Sequence, residues 1–172
     1  MADEPESRLT FDSFAVTWRR VMTDPDGFFA EMPETGGLRD PALFLIACAA
    51  VNALGHLLTG WGLAGMIRIF VAQVAAGFIG AVILVLVAQH LFSGRGGFEP
   101  TFRVVAYAAA PRVFLWVPFI GPLALVYSAY LIVRGLERVQ GIDAARAVLT
   151  LLVAVAVLWL LSVVRTGRVA WL

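Results

Sequence analysis

Arg112 is the residue of this sequence whose type and position are best suited to chemistry. It follows Pro111 in a long apolar run, and an arginine at the centre of a membrane helix costs about 2.5–3.5 kcal/mol on insertion scales. Pro111 has no amide hydrogen, so the carbonyl of Tyr107, one turn earlier, would lack a donor in a helix. We predict that Arg112, with Tyr107 and Pro111, contacts an anionic lipid headgroup or a bound anion at a local break. The alternative is structural: Arg112 extends towards the membrane surface or bonds to freed carbonyls.

A second group of polar residues lies within the first two apolar runs. Asn52 and His56 are four residues apart and therefore share one face of a helix. Gln73, in the next apolar run, is a candidate partner across the helix pair. Contacts of this kind contribute about 0.6 kcal/mol on average within membranes. We predict intramembrane polar contacts here, with a packing role favoured over a ligand site.

The sequence lacks the motifs and combinations of residues that catalysis needs. It has no GxSxG or HExxH motif and no glycine-rich phosphate loop, and no aspartate or glutamate occurs between Pro41 and Phe98. Intramembrane carboxylates are the usual groups of proton relays and cation pathways, so this pattern argues against a proton-coupled transporter. One cysteine and two histidines cannot form a metal centre without carboxylate help. We predict no enzyme activity, no cofactor and no metal site.

The composition places these residues in a membrane protein. The chain of 172 residues is 60% hydrophobic and 15% charged, whereas soluble domains are roughly 45–50% apolar and about 25% charged. Nine of the twelve acidic residues lie in the first 40 positions. The net charge of +1 provides no basic surface of the kind that nucleic acids require. We predict an all-α integral membrane protein with a short polar head and no nucleic-acid partner.

The N-terminal head is predicted to be a disordered tail (residues 1–8) followed by an amphipathic segment (residues 9–40). At 100° per residue, apolar side chains form one stripe along its first helix. The members of this aromatic stripe are Phe11, Phe14, Trp18, Val21 and Met22. Such a helix can lie in the membrane surface with its aromatic side in the lipid. The alternative, which the pattern supports equally, is packing against the protein's own membrane domain. Asp24 and Pro25 have the residue types that begin a second short helix.

Residues 41–172 form the predicted membrane domain. Spans of about 20 residues cross a hydrocarbon core roughly 30 Å thick, and the five predicted spans are 41–59, 69–92, 101–118, 120–138 and 144–164. The proline-rich middle is also compatible with a single span over 113–133, which would give four spans and move the C-terminus to the other side. Arginine counting places the N-terminus in the cytoplasm in both cases and favours five spans only slightly.

The order of several short motifs resembles the Yip-domain family of five-pass membrane proteins, named for Ypt/Rab interaction in eukaryotes. The motifs are Tyr107 with Pro111, Pro118 with Gly121, Gly135-Leu136, and Gly141-Ile142-Asp143 with Ala147. The segment TDPDGFFAEMPETGGLRDPALF is similar to the head of bacterial members. The resemblance implies five transmembrane helices with a short amphipathic cytoplasmic segment at the N-terminus, in a bacterial inner membrane. The eukaryotic DLYGP-type motif is absent, so a GTPase partner is not carried over.

Two functional hypotheses follow from the sequence. The first is a non-enzymatic multi-pass membrane protein that organises membrane or protein assemblies, with the lipid bilayer, a second copy of the chain or other membrane proteins as partners. Small residues at a spacing of four support close helix packing, internal or between copies; they are Ala72, Ala76 and Gly80. The second hypothesis is a small transporter or channel with an anion or lipid site near Arg112.

Overall fold

The structure, a computed structural model, describes residues 11–166, and these residues form helices and connecting turns without strands. The all-α prediction is therefore confirmed for this part of the chain. The elements are α1 (Phe11–Thr23), α2 (Pro25–Glu31), α3 (Arg39–Leu58), α4 (Gly62–Phe92), α5 (Phe98–Tyr107), a 3₁₀ turn (Ala110–Phe114), α6 (Ile120–Gln140) and α7 (Ala144–Thr166). The predicted tail, residues 1–8, lies outside the described residues.

Four helices, α3, α4, α6 and α7, are long and apolar enough to cross a membrane. Their ends lie close to the predicted ends except at the start of α4, which begins at Gly62 rather than at residue 69. α4 and α6 end on residues in the left-handed conformation, Ser93 and Gly141, a common way to terminate a helix. Asp143 begins α7 as its sequence position suggests, because its carboxylate accepts a hydrogen bond from the Arg146 amide at 3.0 Å.

The predicted span 101–118 is not one continuous helix. Helix α5 ends at Tyr107, and the chain continues through a turn into the 3₁₀ turn that contains Pro111. Proline explains the break, because it cannot donate to the carbonyl four residues earlier and its ring would collide with that carbonyl. We call residues 98–114 the broken segment. Protein covers most of it, and its fully buried side chains include Thr101, Phe102, Val104, Ala106, Ala108, Ala109 and Ala110.

Contacts between helix ends define two ends of the bundle. At one end, the Gln140 side chain at the end of α6 accepts a hydrogen bond from the Gly96 amide at 3.0 Å and donates one to Thr101 Oγ1 at 2.8 Å. At the same end, Glu99 of α5 accepts a hydrogen bond from the Gly37 amide at 2.7 Å, just before α3 begins. We call this the head end. At the other end of the bundle, Gly55 near the last turn of α3 lies directly against the ring of Trp116, which follows the 3₁₀ turn in the chain. We call this the far end.

The head folds back onto the bundle through α1 and α2. Asp24 caps α2 as predicted, since its carboxylate accepts a hydrogen bond from the Gly27 amide at 3.1 Å. Phe29 of α2 is buried in the same core cluster as residues of the broken segment and α6. The Tyr127 hydroxyl of α6 donates to the Met22 carbonyl at 2.9 Å. The head is therefore part of the packed core and reaches along α6 as far as Tyr127.

Candidate functional site

The break in the third membrane segment is the centre of the candidate site. The Ala108 carbonyl accepts a hydrogen bond from the Ser128 hydroxyl of α6 at 2.6 Å. The Ala110 carbonyl accepts one from the Trp18 indole Nε1 of α1 at 2.9 Å. Buried carbonyls need hydrogen-bond partners, and here side chains from two other helices supply them. The break is thus held by the head on one side and by α6 on another.

Arg112 is linked to this break by a hydrogen bond to the Ser128 hydroxyl. Its Nε donates to the Ser128 hydroxyl oxygen at 2.9 Å, while that hydroxyl donates its own hydrogen to Ala108. Within residues 11–166, this is the one side-chain hydrogen bond of the half-buried guanidinium, and no carboxylate of that region pairs with it. Both Nη groups of Arg112 therefore keep donors that the described protein does not use.

Tyr107 and Pro111 do not join Arg112 in one contact set. The centroid of the Tyr107 ring lies 4.9 Å from that of Phe28 of α2, in an edge-on contact, and 5.2 Å from that of Phe44 of α3, in a tilted one. Tyr107 therefore belongs to the aromatic contacts beneath the head. Pro111 is buried in the 3₁₀ turn. Ser128 and Trp18 complete the site. No spacing pattern indicates either residue, because they lie 20 and 92 positions from the carbonyls to which they donate.

Asn52 and Gln73 meet across α3 and α4. The Asn52 side-chain nitrogen donates to Gln73 Oε1 at 2.8 Å, which is the contact that their positions suggest. His56 does not join them by a hydrogen bond; its ring packs edge-on against Trp61 at 5.6 Å. The other amide atoms of the pair, Asn52 Oδ1 and Gln73 Nε2, are buried without a hydrogen-bond partner among the described residues, as is His56 Nδ1.

The aromatic stripe of α1 packs against the protein's own helices in this structure. Val21 is fully buried, and Phe14, Trp18 and Met22 pack on the core cluster. The Phe14 ring lies 5.0 Å from the Phe44 ring of α3. For these four residues the structure shows the contacts that the second alternative, internal packing, expects, and placement in the membrane surface stays a prediction. The Phe11 side chain lies outside the described residues.

Ion pairs hold the head to α6 at the surface. Arg134 Nε donates to the Asp26 carboxylate of α2 at 2.7 Å, and its Nη1 donates to Glu137 at 2.9 Å. The hydrogen bond from Arg134 holds the pKa of the Asp26 carboxyl below its ordinary value. Arg20 of α1 also forms an ion pair with Glu31 of α2, which links the two head helices. These exposed pairs orient the head but each contributes little stability.

Residues 19–165 match the family model of the Yip1 domain. No curated protein and no solved structure matches the chain. The matched region begins within α1 and ends within α7. It therefore includes most of the docked head, the broken segment and all four long helices.

Proposed function

The chain belongs to the Yip1 domain family, and from that premise we propose that it is a non-enzymatic, multi-pass membrane protein that organises membrane or protein assemblies. Four helices long and apolar enough to cross a membrane make it an integral membrane protein. Large apolar side chains are exposed along these helices, among them Leu54, Val71, Val126 and Leu152. In a bilayer these side chains contact lipid or the helices of partner proteins.

The observation that carries this proposal is the mutual bonding of polar groups within the membrane body. Asn52 bonds to Gln73, and Arg112 bonds to Ser128, which bonds in turn to the Ala108 carbonyl. Transport pathways instead present ionisable groups to a water-filled cavity. Side chains that bond to one another stabilise helix contacts, which suits a protein whose work is done by its packing surfaces.

A reconstitution experiment tests the proposal. The full-length chain, labelled with donor and acceptor dyes, is placed in liposomes at increasing density, and energy transfer and vesicle diameter are measured together. The proposal expects energy transfer above that of randomly dispersed labels, or a change in vesicle diameter with protein density. Energy transfer no greater than that of randomly dispersed labels, together with an unchanged vesicle diameter, contradicts the proposal.

The proposal includes five passes with the N-terminus in the cytoplasm of a bacterial inner membrane. Two contacts support a pass by the broken segment: Glu99 bonds to Gly37 at the head end, and Trp116 lies against Gly55 near the far end of α3. Irregular backbone is tolerated at membrane depth where protein covers it. An excess of arginine marks cytoplasmic loops, and arginines at or near the head end are Arg95, Arg103, Arg134, Arg138 and Arg146.

Reporter fusions test this topology. A periplasm-active phosphatase fused after Leu172 should be active in the five-pass arrangement, and the same reporter inserted at Gly60, between α3 and α4, serves as the matched extracytoplasmic reference. Insertion at Arg95, in the loop between α4 and α5, should give an inactive reporter. An inactive fusion after Leu172 together with an active insertion at Gly60 contradicts the five-pass arrangement.

A second candidate function is a small transporter or channel with an anion or lipid site near Arg112. The specific observation in its favour is the pair of Nη groups that make no hydrogen bond to the described residues. Anion flux into liposomes that hold the full-length chain tests it, with Arg112→Ala as the variant. Arg68→Ala, which removes an arginine of α4 that lies over the Trp61 ring at 5.8 Å, is the matched arginine control. Flux that Arg112→Ala alone abolishes supports this function, and absence of flux in the unaltered protein contradicts it.

A further inference from the structure

A cavity of about 530 Å³ opens at the head end, apart from the break around Arg112. It lies between the loop that joins α4 to α5 and the turn that joins α6 to α7. Three arginines from three different elements line it: Arg95 from the loop, Arg138 from α6 and Arg146 from α7. Among residues 11–166, the lining includes one carboxylate, Glu34, so the described lining residues carry an excess of positive charge.

The arginines keep much of their hydrogen-bonding capacity. The Arg95 guanidinium has no hydrogen-bond or ion-pair partner within residues 11–166. Arg138 Nη2 makes one long contact of 3.5 Å, with the Ala30 carbonyl. Arg146 pairs through Nε with Asp143 at 3.1 Å, so its Nη groups are not part of that bond. A planar guanidinium presents paired N–H donors that match the oxygens of a phosphate group.

The wall of the cavity is held in place by a buried polar network. Gln140, almost fully buried, accepts from the Gly96 amide and donates to the Gly96 carbonyl at 3.1 Å and to Thr101. The Arg95 amide donates to the Gln140 carbonyl at 3.1 Å. A Cβ on Gly96 would collide with the Val139 carbonyl oxygen, and one on Gly94 would lie 2.5 Å from Gln140 Oε1. The loop therefore approaches α6 as closely as glycine allows, and the backbone of Arg95 is held against α6.

The lining changes from apolar to polar across the mouth of the cavity. Phe92, the last residue of α4, and Ile142, just before α7, line it together with the arginines. Both adjoin helices long and apolar enough to cross a membrane. In a bilayer that α4 and α7 cross, we expect the cavity to lie near the headgroups, because α4 ends and α7 begins beside it.

We propose that this cavity is a binding site for a phosphate group, carried by an anionic phospholipid of the head-end leaflet or present as a free phosphate. Arg95 of the loop and Arg138 of α6 bind the phosphate oxygens, and Arg146 of α7 contributes the third positive charge. The site uses residues distinct from Arg112 and does not depend on the proposed role in organising assemblies.

Native mass spectrometry of the full-length chain in neutral detergent tests the proposal. Dioleoyl phosphatidylglycerol is titrated against the unaltered protein and the double variant Arg95→Ala/Arg138→Ala, and dioleoyl phosphatidylcholine serves as the lipid control. We expect the double variant to bind phosphatidylglycerol at least ten-fold more weakly. Arg39→Ala removes an exposed arginine of α3 outside the cavity and should leave binding unchanged. Arg95→Ala alone, in a loop, is the second variant should the double variant fail to fold.

A second titration with inorganic phosphate, followed by calorimetry, separates the two sources. Phosphatidylglycerol that binds in an Arg95-dependent manner, with little binding of inorganic phosphate, assigns the site to the lipid. Arg95-dependent binding of inorganic phosphate without retention of phosphatidylglycerol assigns it to a free phosphate. If neither probe distinguishes the folded unaltered protein from the folded variants, or if Arg39→Ala lowers binding as much as they do, the proposal is overturned.

Discussion

Helix α7 and the broken segment satisfy their backbone hydrogen bonds in different ways. α7 continues without interruption from Ala144 to Thr166 and exposes apolar side chains along its length, with Leu152 and Leu160 each 58% exposed. The broken segment stops being α-helical at Tyr107, and most of its side chains are buried. Lipid offers no hydrogen bonds, so a helix that faces it must satisfy its own backbone. A helix that protein covers can break, provided that neighbouring side chains replace the missing donors.

The first prediction compares the packing of the two regions. Phe102→Ala removes a fully buried ring that stacks on Phe78 at 4.4 Å, and we expect it to lower the free energy of unfolding by about 3–5 kcal/mol. Leu152→Ala on α7 is the control, because a side chain that faces lipid before and after unfolding loses little packing. Unfolding by denaturing detergent in mixed micelles measures both. Equal losses would show that the two regions do not differ in packing.

The second prediction compares two hydroxyls, one of α6 that donates to the broken segment and one within α7. Ser128→Ala leaves the buried Ala108 carbonyl without its donor from α6, and we expect a loss of about 1–3 kcal/mol. Thr150→Val removes a buried hydroxyl of α7 that bonds to the Arg146 carbonyl at 2.8 Å. That carbonyl keeps its helical partner, so the loss should be smaller. The same detergent unfolding applies, and a larger loss for Thr150→Val would contradict the difference drawn between the regions.

The third prediction concerns the donor that the head supplies. Trp18→Phe keeps an aromatic ring but removes the indole N–H that bonds to Ala110, and we expect a loss of about 1 kcal/mol. Amide hydrogen exchange in α1 and α2 of the full chain should become faster. Trp61→Phe, at an exposed position before α4, should leave exchange in the head unchanged. Unaltered exchange in the Trp18 variant would show that the head does not need this bond.

The smallest expected effect is the dependence of head docking on pH. The pKa of Asp26 lies below its ordinary value of 3.8 because Arg134 donates a hydrogen bond to its carboxylate. The contribution of this pair is therefore complete above pH 3.8 and is lost as the pH falls through the lowered pKa. Hydrogen exchange in α2, compared between pH 7 and pH 3 after correction for intrinsic rates, measures it. Asp26→Asn should remove the part of the pH dependence that this carboxylate causes.

Local chemistry made several features of the fold predictable. The lengths of the apolar runs indicated α3, α6 and α7 closely, and the residue types of Asp24 and Pro25 indicated where α2 begins. The start of α3 differs, because Arg39 and not Pro41 opens the helix and Asp40 lies within its first turn. These features depend on neighbours in the chain, which a sequence displays directly.

The partners at the break could not be predicted in this way. Pro111 indicated that a carbonyl would lose its donor, but no spacing indicates that Ser128 or Trp18 would supply one elsewhere in the break. The aromatic stripe posed the same difficulty, since lipid and a protein core both favour an apolar helix face. Only the tertiary packing distinguishes them, through contacts such as Phe14 with Phe44.

The bond between Trp18 and Ala110 also has a consequence for the order of events during synthesis. The two residues are 92 positions apart, so the ribosome needs roughly 5–20 s to reach the second after making the first, at about 5–20 residues per second. Throughout that interval Trp18 lacks its acceptor, although Phe44, on which Phe14 packs, is made much earlier. An amphipathic helix in this situation has the membrane interface as its nearest apolar environment. A chain released before Ala110 is made would therefore keep the Trp18 indole N–H without the acceptor that it has in the complete bundle.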